Sequence, residues 1–315
     1  MELRNLGRSG LLVSVVGLGC NNFGGRSGFE DSQAVVHKAL DLGITLFDTA
    51  DMYGNRGGSE DYLGRILGPR RKDIVLATKF GMAMGDSPEQ RGASRRYIMA
   101  AVEASLKRLR TDWIDLYQLH QPDPRTPIEE TLRALDDLVR QGKLRYIGCS
   151  NLPAWQVVEA QWTARHHNLA AFISAQDEYS LLERRIEREL LPALRAYGLG
   201  LLPYYPLAGG LLTGKYRRGA PPPADTRMAK NSAYAQRVMT EANLDAVDRL
   251  AAFARERGRT PLDLAFSWLA SQPAVASVIA GASRPEQVEE NVRAAGWALS
   301  PEELDEIDSL APAGG

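Results

Sequence analysis

The chain has 315 residues, 44% hydrophobic and 24% charged, a balance that supports a large buried core and excludes a wholly disordered protein. Its 38 basic and 39 acidic side chains leave a net charge of −1, so no overall field draws it to nucleic acid or to an anionic membrane, and an anion needs a local pocket. Two cysteines, Cys20 and Cys149, are too few for a disulfide framework or a cysteine-built metal site.

In chain order, the first feature is the apolar run 11–20. It mimics a secretory signal, but its ten residues are flanked by Arg8 and interrupted by Gly17, so it reads as a buried strand after a turn at 7–10. No stretch approaches the roughly 18 apolar residues of a membrane span, and a cytoplasmic protein is the default expectation. Short β-branched runs then recur at 13–19, 44–48, 74–80, 113–120, 144–150, 172–176, 200–205 and 275–280. Helical apolar spacing occupies 31–42, 59–67, 94–109, 127–141, 153–167 and 183–197 between them. The last gap is longer, with a loop over 206–235 and helices over 241–257 and 261–271; a further helix covers 301–310.

Strand starts recur about every 30 residues, the length of a βαβ unit. Eight such units predict an α/β fold, one closed parallel (β/α)8 barrel spanning 1–315 as a single domain, with an N-terminal hairpin and an extra C-terminal helix. The competing open sheet announces a dinucleotide with G-x-G-x-x-G; here Gly17-Leu18-Gly19 is followed by Asn22 where the third glycine belongs. Helix punctuation agrees: Gly43, Gly142 and Gly198 stand as C′ residues, and Ser94, Thr126 and Ser300 as N-caps, the last two followed by Pro127 and Pro301 at the first helical position.

Barrel sites lie at the C-terminal ends of the strands. Those ends carry Asp48, Lys79, His120, Ser150 with Asn151, Gln176, Tyr205 and Gly281. Turns and caps account for an aspartate, serine or asparagine, but a lysine and a histidine at successive strand ends are not preferred caps. Tyr53 follows Asp48 by five residues. A phenol with pKa near 10 is a poor proton donor at pH 7, and a neighbouring ammonium lowers that value. Lys79 supplies the ammonium, Asp48 keeps it charged, and His120 hydrogen-bonds the oxygen that Tyr53 protonates. The set suits a carbonyl oxygen that becomes negative on receiving hydride.

The motifs 43–54 (GITLFDTADMYG) with Ser59-Glu60, Ala77-Thr78-Lys79, 112–120 (DWIDLYQLH), Gly148-Cys149-Ser150-Asn151, 206–216 (PLAGGLLTGKY), Gly281-Ala282-Ser283-Arg284 and Glu290-Asn291 resemble, in order and over nearly the whole chain, the aldo-keto reductases, including their potassium-channel β-subunit branch. The resemblance implies a barrel that binds NADPH without a Rossmann domain and reduces aldehydes or ketones, with Asp48, Tyr53, Lys79 and His120 as the catalytic tetrad. It implies that Ser150, Asn151 and Gln176 contact the nicotinamide carboxamide and that Tyr205 stacks on its ring. It further assigns Pro206, Leu207, Gly210, Lys215 and Arg227 to the segment over the pyrophosphate, and Gly281, Ser283, Arg284, Gln287, Glu290 and Asn291 to the adenosine end. Arg284, beside a helix N-terminus, suits a 2′-phosphate and favours NADPH over NADH. A small-molecule carbonyl substrate is expected, with a monomer or weak homo-oligomer.

Two segments depart from the family's common pattern: Cys20-Asn21-Asn22, where an aromatic or threonine often lines the pocket, and the lengthened 54–59, where Arg56 reads as a loop-surface arginine or a rim cation for anionic substrates. His37, His166 and His167 read as structural or solvated, Cys149 as a small core residue, and Arg184, Arg185, Glu187, Arg188 and Glu189 as a charged helix face. No metal motif, P-loop or nucleophile elbow occurs. Two other functions compete: a Schiff-base aldolase using Lys79, disfavoured because Asp48 keeps the amine charged, and a regulatory subunit sensing NADPH.

Overall fold

The computed structural model describes residues 1–216, 218–223 and 226–311, with the backbone only at Arg227, Lys230 and Ser232. Strands β1 (Leu3–Asn5) and β2 (Leu12–Ser14) form an antiparallel hairpin. Eight parallel strands follow: β3 (Val16–Gly19), β4 (Leu46–Asp48), β5 (Val75–Phe80), β6 (Ile114–Leu119), β7 (Leu144–Ser150), β8 (Phe172–Glu178), β9 (Gly200–Tyr204) and β10 (Val278–Gly281). Each pairs with its sequence neighbour, and β10 returns to β3. Closure between β9 and the lead into β10 comes from Leu201, whose N–H donates to the Ala274 carbonyl (2.7 Å) and whose carbonyl accepts from the Ala276 N–H (3.0 Å). The predicted (β/α)8 barrel is the observed fold.

The outer ring comprises α1 (Phe29–Asp41), α2 (Tyr53–Leu67), α3 (Arg95–Leu109), α4 (Ile128–Arg140), α5 (Ala154–His167) and α6 (Leu190–Tyr197). After β9 come the short α7 (Arg227–Lys230) and α8 (Ser232–Val238), then α9 (Glu241–Glu256), α10 (Pro261–Ser271), α11 (Pro285–Ala294) and α12 (Pro301–Leu310). Among the described residues, no helix is long and apolar enough to cross a membrane.

Two cores result from the period-2 strands. Outward residues such as Phe47, Leu76 and Ile147 pack in the large cluster with helix residues such as Val36, Leu63 and Leu135. Inward residues Leu46, Ala77, Leu116, Leu202, Ala276 and Ile279 form a second cluster with Leu6 and Val13 of the hairpin, which stoppers the N-terminal end of the barrel. Alternation then decides what lies above this plug. Two residues on from Leu46 is Asp48; two on from Ala77 is Lys79; two and four on from Leu116 are Gln118 and His120.

Several expectations are corrected. The run 13–19 is two strands, because Ser14 exchanges hydrogen bonds with Thr45 (Ser14 N–H to Thr45 Oγ1 and Thr45 N–H to Ser14 Oγ, both 2.9 Å), turning the chain from the floor into the wall. Thr126 does not cap α4. Its hydroxyl donates to Asp123 Oδ2 (2.9 Å), and Pro127 takes the cap position. The helix predicted over 183–197 begins only at Leu190, since a longer one would place Pro192 in its interior. Arg184, Arg185, Glu187, Arg188 and Glu189 therefore precede the helix instead of forming one charged face on it, and Arg184 reaches Glu187 (2.8 Å) and Asp308 of α12 (2.7 Å). The loop 206–235 contains a 3-10 turn, Ala208–Thr213, with α7 and the start of α8. Gly43, Gly142 and Gly198 are left-handed as expected, and Ser94 and Ser300 cap α3 and α12.

Candidate active site

The barrel mouth gathers Asp48, Lys79 and His120 from three adjacent strands, with Tyr53 at the head of α2. Lys79 is fully buried, and its ammonium donates to Asp48 Oδ2 (2.6 Å) and to the Thr49 carbonyl (2.9 Å). Burial, the largest influence, opposes the charge, but the Asp48 carboxylate and the nearby Tyr53 oxygen together outweigh it, and the lysine pKa stands above its ordinary value. The paired, cationic amine is the opposite of what a Schiff-base nucleophile requires.

Tyr53 lies with its ring centroid 5.1 Å from Lys79 Nζ, so the phenol and the ammonium are close neighbours. Contrary to the expectation from the ammonium alone, the phenol pKa is raised. Burial is the largest cause, and the pull of Lys79 is also opposed by Asp48. Tyr53 thus keeps its proton at neutral pH. His120 meets the Tyr53 ring edge-on at 5.7 Å between centroids. Burial and then Lys79 push the imidazole down to about 3, so it is neutral.

Local backbone holds Tyr53 in place. The four residues after it are left-handed (φ 66, 60, 68 and 117° at Gly54, Asn55, Arg56 and Gly57), and regular helix follows. A Cβ on Gly54 would stand 2.4 Å from the Phe23 carbonyl oxygen, so the turn presses directly on the loop after β3. Asn55 and Arg56 adopt this conformation without being glycine, which costs energy. Arg56 stands 3.7 Å from the exposed Asp86.

The amide-bearing residues form one hydrogen-bonded group beside this centre. Ser150 Oγ donates to the Gln176 carbonyl (2.8 Å) and accepts from Asn151 Nδ2 (2.9 Å). Asn151 Nδ2 also donates to the His120 carbonyl (3.0 Å), while Gln176 Nε2 donates to Asp48 Oδ1 (2.8 Å). Tyr205, left-handed at φ 53°, packs against Tyr204 and Tyr234 at 5.2 and 5.0 Å between centroids.

Farther round the rim, Pro206 is buried and Leu207 half-buried. Lys215 Nζ lies 2.8 Å from where a Cβ on Gly210 would stand, so the glycine admits the ammonium to the backbone. The side chain of Arg227 lies outside the described residues. Gly281 ends β10 beside Asn21 and Asn22. Arg284 occupies the N-cap position of α11 without capping it, is exposed, and makes no ion pair among the described residues. Gln287 Oε1 accepts from the Ser283 N–H (2.8 Å) and hydroxyl (3.2 Å). Asn291 is buried one turn farther on, and Glu290 is exposed.

Three features lay beyond sequence reasoning. Gln118 donates to Asp48 Oδ1 (3.3 Å); its position two residues before His120 was the available signal. Tyr204 donates to Asn151 Oδ1 (2.8 Å). Behind the site, Asp51 and Glu60 are both buried: Glu60 accepts from Thr78 Oγ1 (2.6 Å) and Arg108 Nε (2.7 Å), whereas Asp51 Oδ2 has a long 3.5 Å contact from the Tyr97 hydroxyl and its Oδ1 has no partner among the described residues. Burial, then Glu60, raises the Asp51 pKa from 3.8 to about 8. The folded state binds that proton more tightly than the unfolded one, so stability falls as pH rises between these values, by about 1.4 kcal/mol per pH unit. Asp51→Asn is expected to remove one proton's share of this slope in urea unfolding at pH 5 and 7.5; identical slopes would show Asp51 to be ionised.

Comparison with known proteins agrees with the geometry. A model of the aldo/keto reductase family matches residues 15–312. The chain is 40% identical over 321 residues to a probable voltage-gated potassium channel subunit beta of Oryza sativa subsp. japonica (98% of this chain, 96% of the relative). It is 38% identical over 320 residues to L-glyceraldehyde 3-phosphate reductase of Escherichia coli (98% and 92%), and 37% identical over 325 residues to an uncharacterized oxidoreductase of Bacillus subtilis (100% and 97%). With an eight-stranded barrel, the matched motifs on its rim and relatives along its full length, the chain belongs to the aldo/keto reductase family of oxidoreductases.

Proposed function

We propose that this protein is an NADPH-dependent carbonyl reductase, acting as one domain on a small aldehyde or ketone. The observation that carries the reading is Lys79, fully buried, ion-paired to Asp48 and set against the Tyr53 phenol. The side chains present fit the cofactor. Ser150, Asn151 and Gln176 offer an amide-matching group, Tyr205 an aromatic face, Gly210 with Lys215 a close cationic approach, and Arg284 an exposed guanidinium at a helix start.

NADPH supplies the hydride when bound; the protein orients the reactants and manages charge. As the carbonyl oxygen gains negative charge, Tyr53 hands it the phenolic proton. The phenolate left behind faces the Lys79 ammonium, which Asp48 keeps in place. Neutral His120 offers its one N–H to the same oxygen, and with its pKa held so low it does not compete with Tyr53 as the proton donor. In oxidation, Tyr53 runs the same transfer in reverse as base.

A panel of aldehydes and ketones, followed at the nicotinamide absorbance with both cofactors, tests the reading. Turnover with NADPH is expected. Tight NADPH binding without turnover of any compound would overturn it in favour of a regulatory subunit that senses NADPH, a reading that the relative named as a probable voltage-gated potassium channel subunit beta keeps open.

A further inference from the structure

Asp48 takes more donors than its pairing with Lys79 requires. Oδ2 receives the ammonium at 2.6 Å, and Oδ1 receives two amides, Gln176 Nε2 at 2.8 Å and Gln118 Nε2 at 3.3 Å. Gln176 stands among the groups assigned to the nicotinamide. Gln118 does not: it is fully buried on β6, two residues before His120, and its Oε1 has no partner among the described residues. A buried amide with an unpartnered carbonyl costs stability, and leucine or methionine would suit the apolar plug beneath it better. What the glutamine adds is a donor on the one carboxylate that anchors the lysine.

We infer that Gln118 is a positioning residue: it holds Asp48 as an oriented carboxylate, and so places the Lys79 ammonium against Tyr53, without touching cofactor or substrate. The inference rests on the carbonyl-reductase reading above. Gln118 and Gln176 share one acceptor oxygen but differ in what else they do, which separates their effects. Loss of Gln118 acts on the proton-transfer machinery alone, whereas loss of Gln176 also weakens nicotinamide binding.

Gln118→Met and Gln118→Glu test this. The methionine keeps the volume but lacks the donor; kcat is expected to fall about tenfold, with the NADPH dissociation constant changed less than about twofold. The glutamate can donate to Asp48 only while protonated, and two carboxylates on one site repel. Gln118→Glu is therefore expected to approach wild-type kcat at acid pH and to lose activity about tenfold or more as pH rises. A residue with a merely structural role would give no such tilted profile.

Wild-type kcat in Gln118→Met, or a Gln118→Glu profile parallel to the wild type, overturns the inference while the reductase reading stands. A wild-type protein that reduces no carbonyl compound overturns both. If Gln118→Met fails to fold, the pH profile of Gln118→Glu decides alone.

Discussion

Tyr53→Phe is expected to lower kcat for aldehyde reduction by about 10³-fold while leaving NADPH affinity within about twofold of wild type. The substitution removes one oxygen and little volume, so the ring keeps its edge contact with His120 and its place over Lys79. What disappears is the proton. Tyr53 carries it at neutral pH because burial outweighs the ammonium's pull, and in the proposed mechanism gives it up to the nascent alkoxide. The ammonium's contribution is then largest, since it faces the phenolate rather than the phenol. Stopped-flow hydride transfer and a fluorescence titration of NADPH separate the two quantities. A matched loss of binding would make Tyr53 a structural residue and leave the proton without a donor.

Arg284→Ala is expected to weaken NADPH by about 10- to 100-fold, the range of charge-assisted hydrogen bonds to one phosphate, and NADH by about twofold or less. The guanidinium stands where α11 begins, exposed and without an ion pair among the described residues, while neighbouring Ser283 is tied back to Gln287. An arginine so placed meets a 2′-phosphate without first breaking a salt bridge. Raising ionic strength should reduce the difference between the two cofactors in the wild type and have no such effect in the variant. An equal loss for both cofactors would remove Arg284 from the phosphate site and with it the basis for preferring NADPH.

Both experiments target residues legible in the sequence, Tyr53 through the strand-end groups it joins and Arg284 through its place before a helix. Asp48, Lys79 and His120 are charged or polar groups ending apolar runs, and Arg284 follows the last strand just before a proline-started helix. The first three placements conflict with burial unless the C-terminal end of a strand is a site. Gln118 escaped because it lies inside its run, where one more polar residue is unremarkable until the pleat turns it inward beside Asp48. The direction of the Tyr53 shift escaped for a different reason: proximity of Lys79 could be inferred from strand order, but the competing cost of burial could not.

The chain's own pattern determined the barrel, its eight strands and the side of it on which the polar ends converge, because hydrophobic period and strand spacing are local properties that survive in one dimension. Element ends were less secure where a single residue intervened, as Ser14 does with Thr45 and Pro192 does with α6. Only the tertiary structure decided how the strand-end residues meet: that two glutamines share one oxygen of Asp48, that Asp51 is buried beside Glu60 with an unpartnered oxygen, and that a left-handed turn carries Tyr53. These depend on desolvation and on contacts between residues up to 128 positions apart, and both quantities exist only once the cylinder has closed.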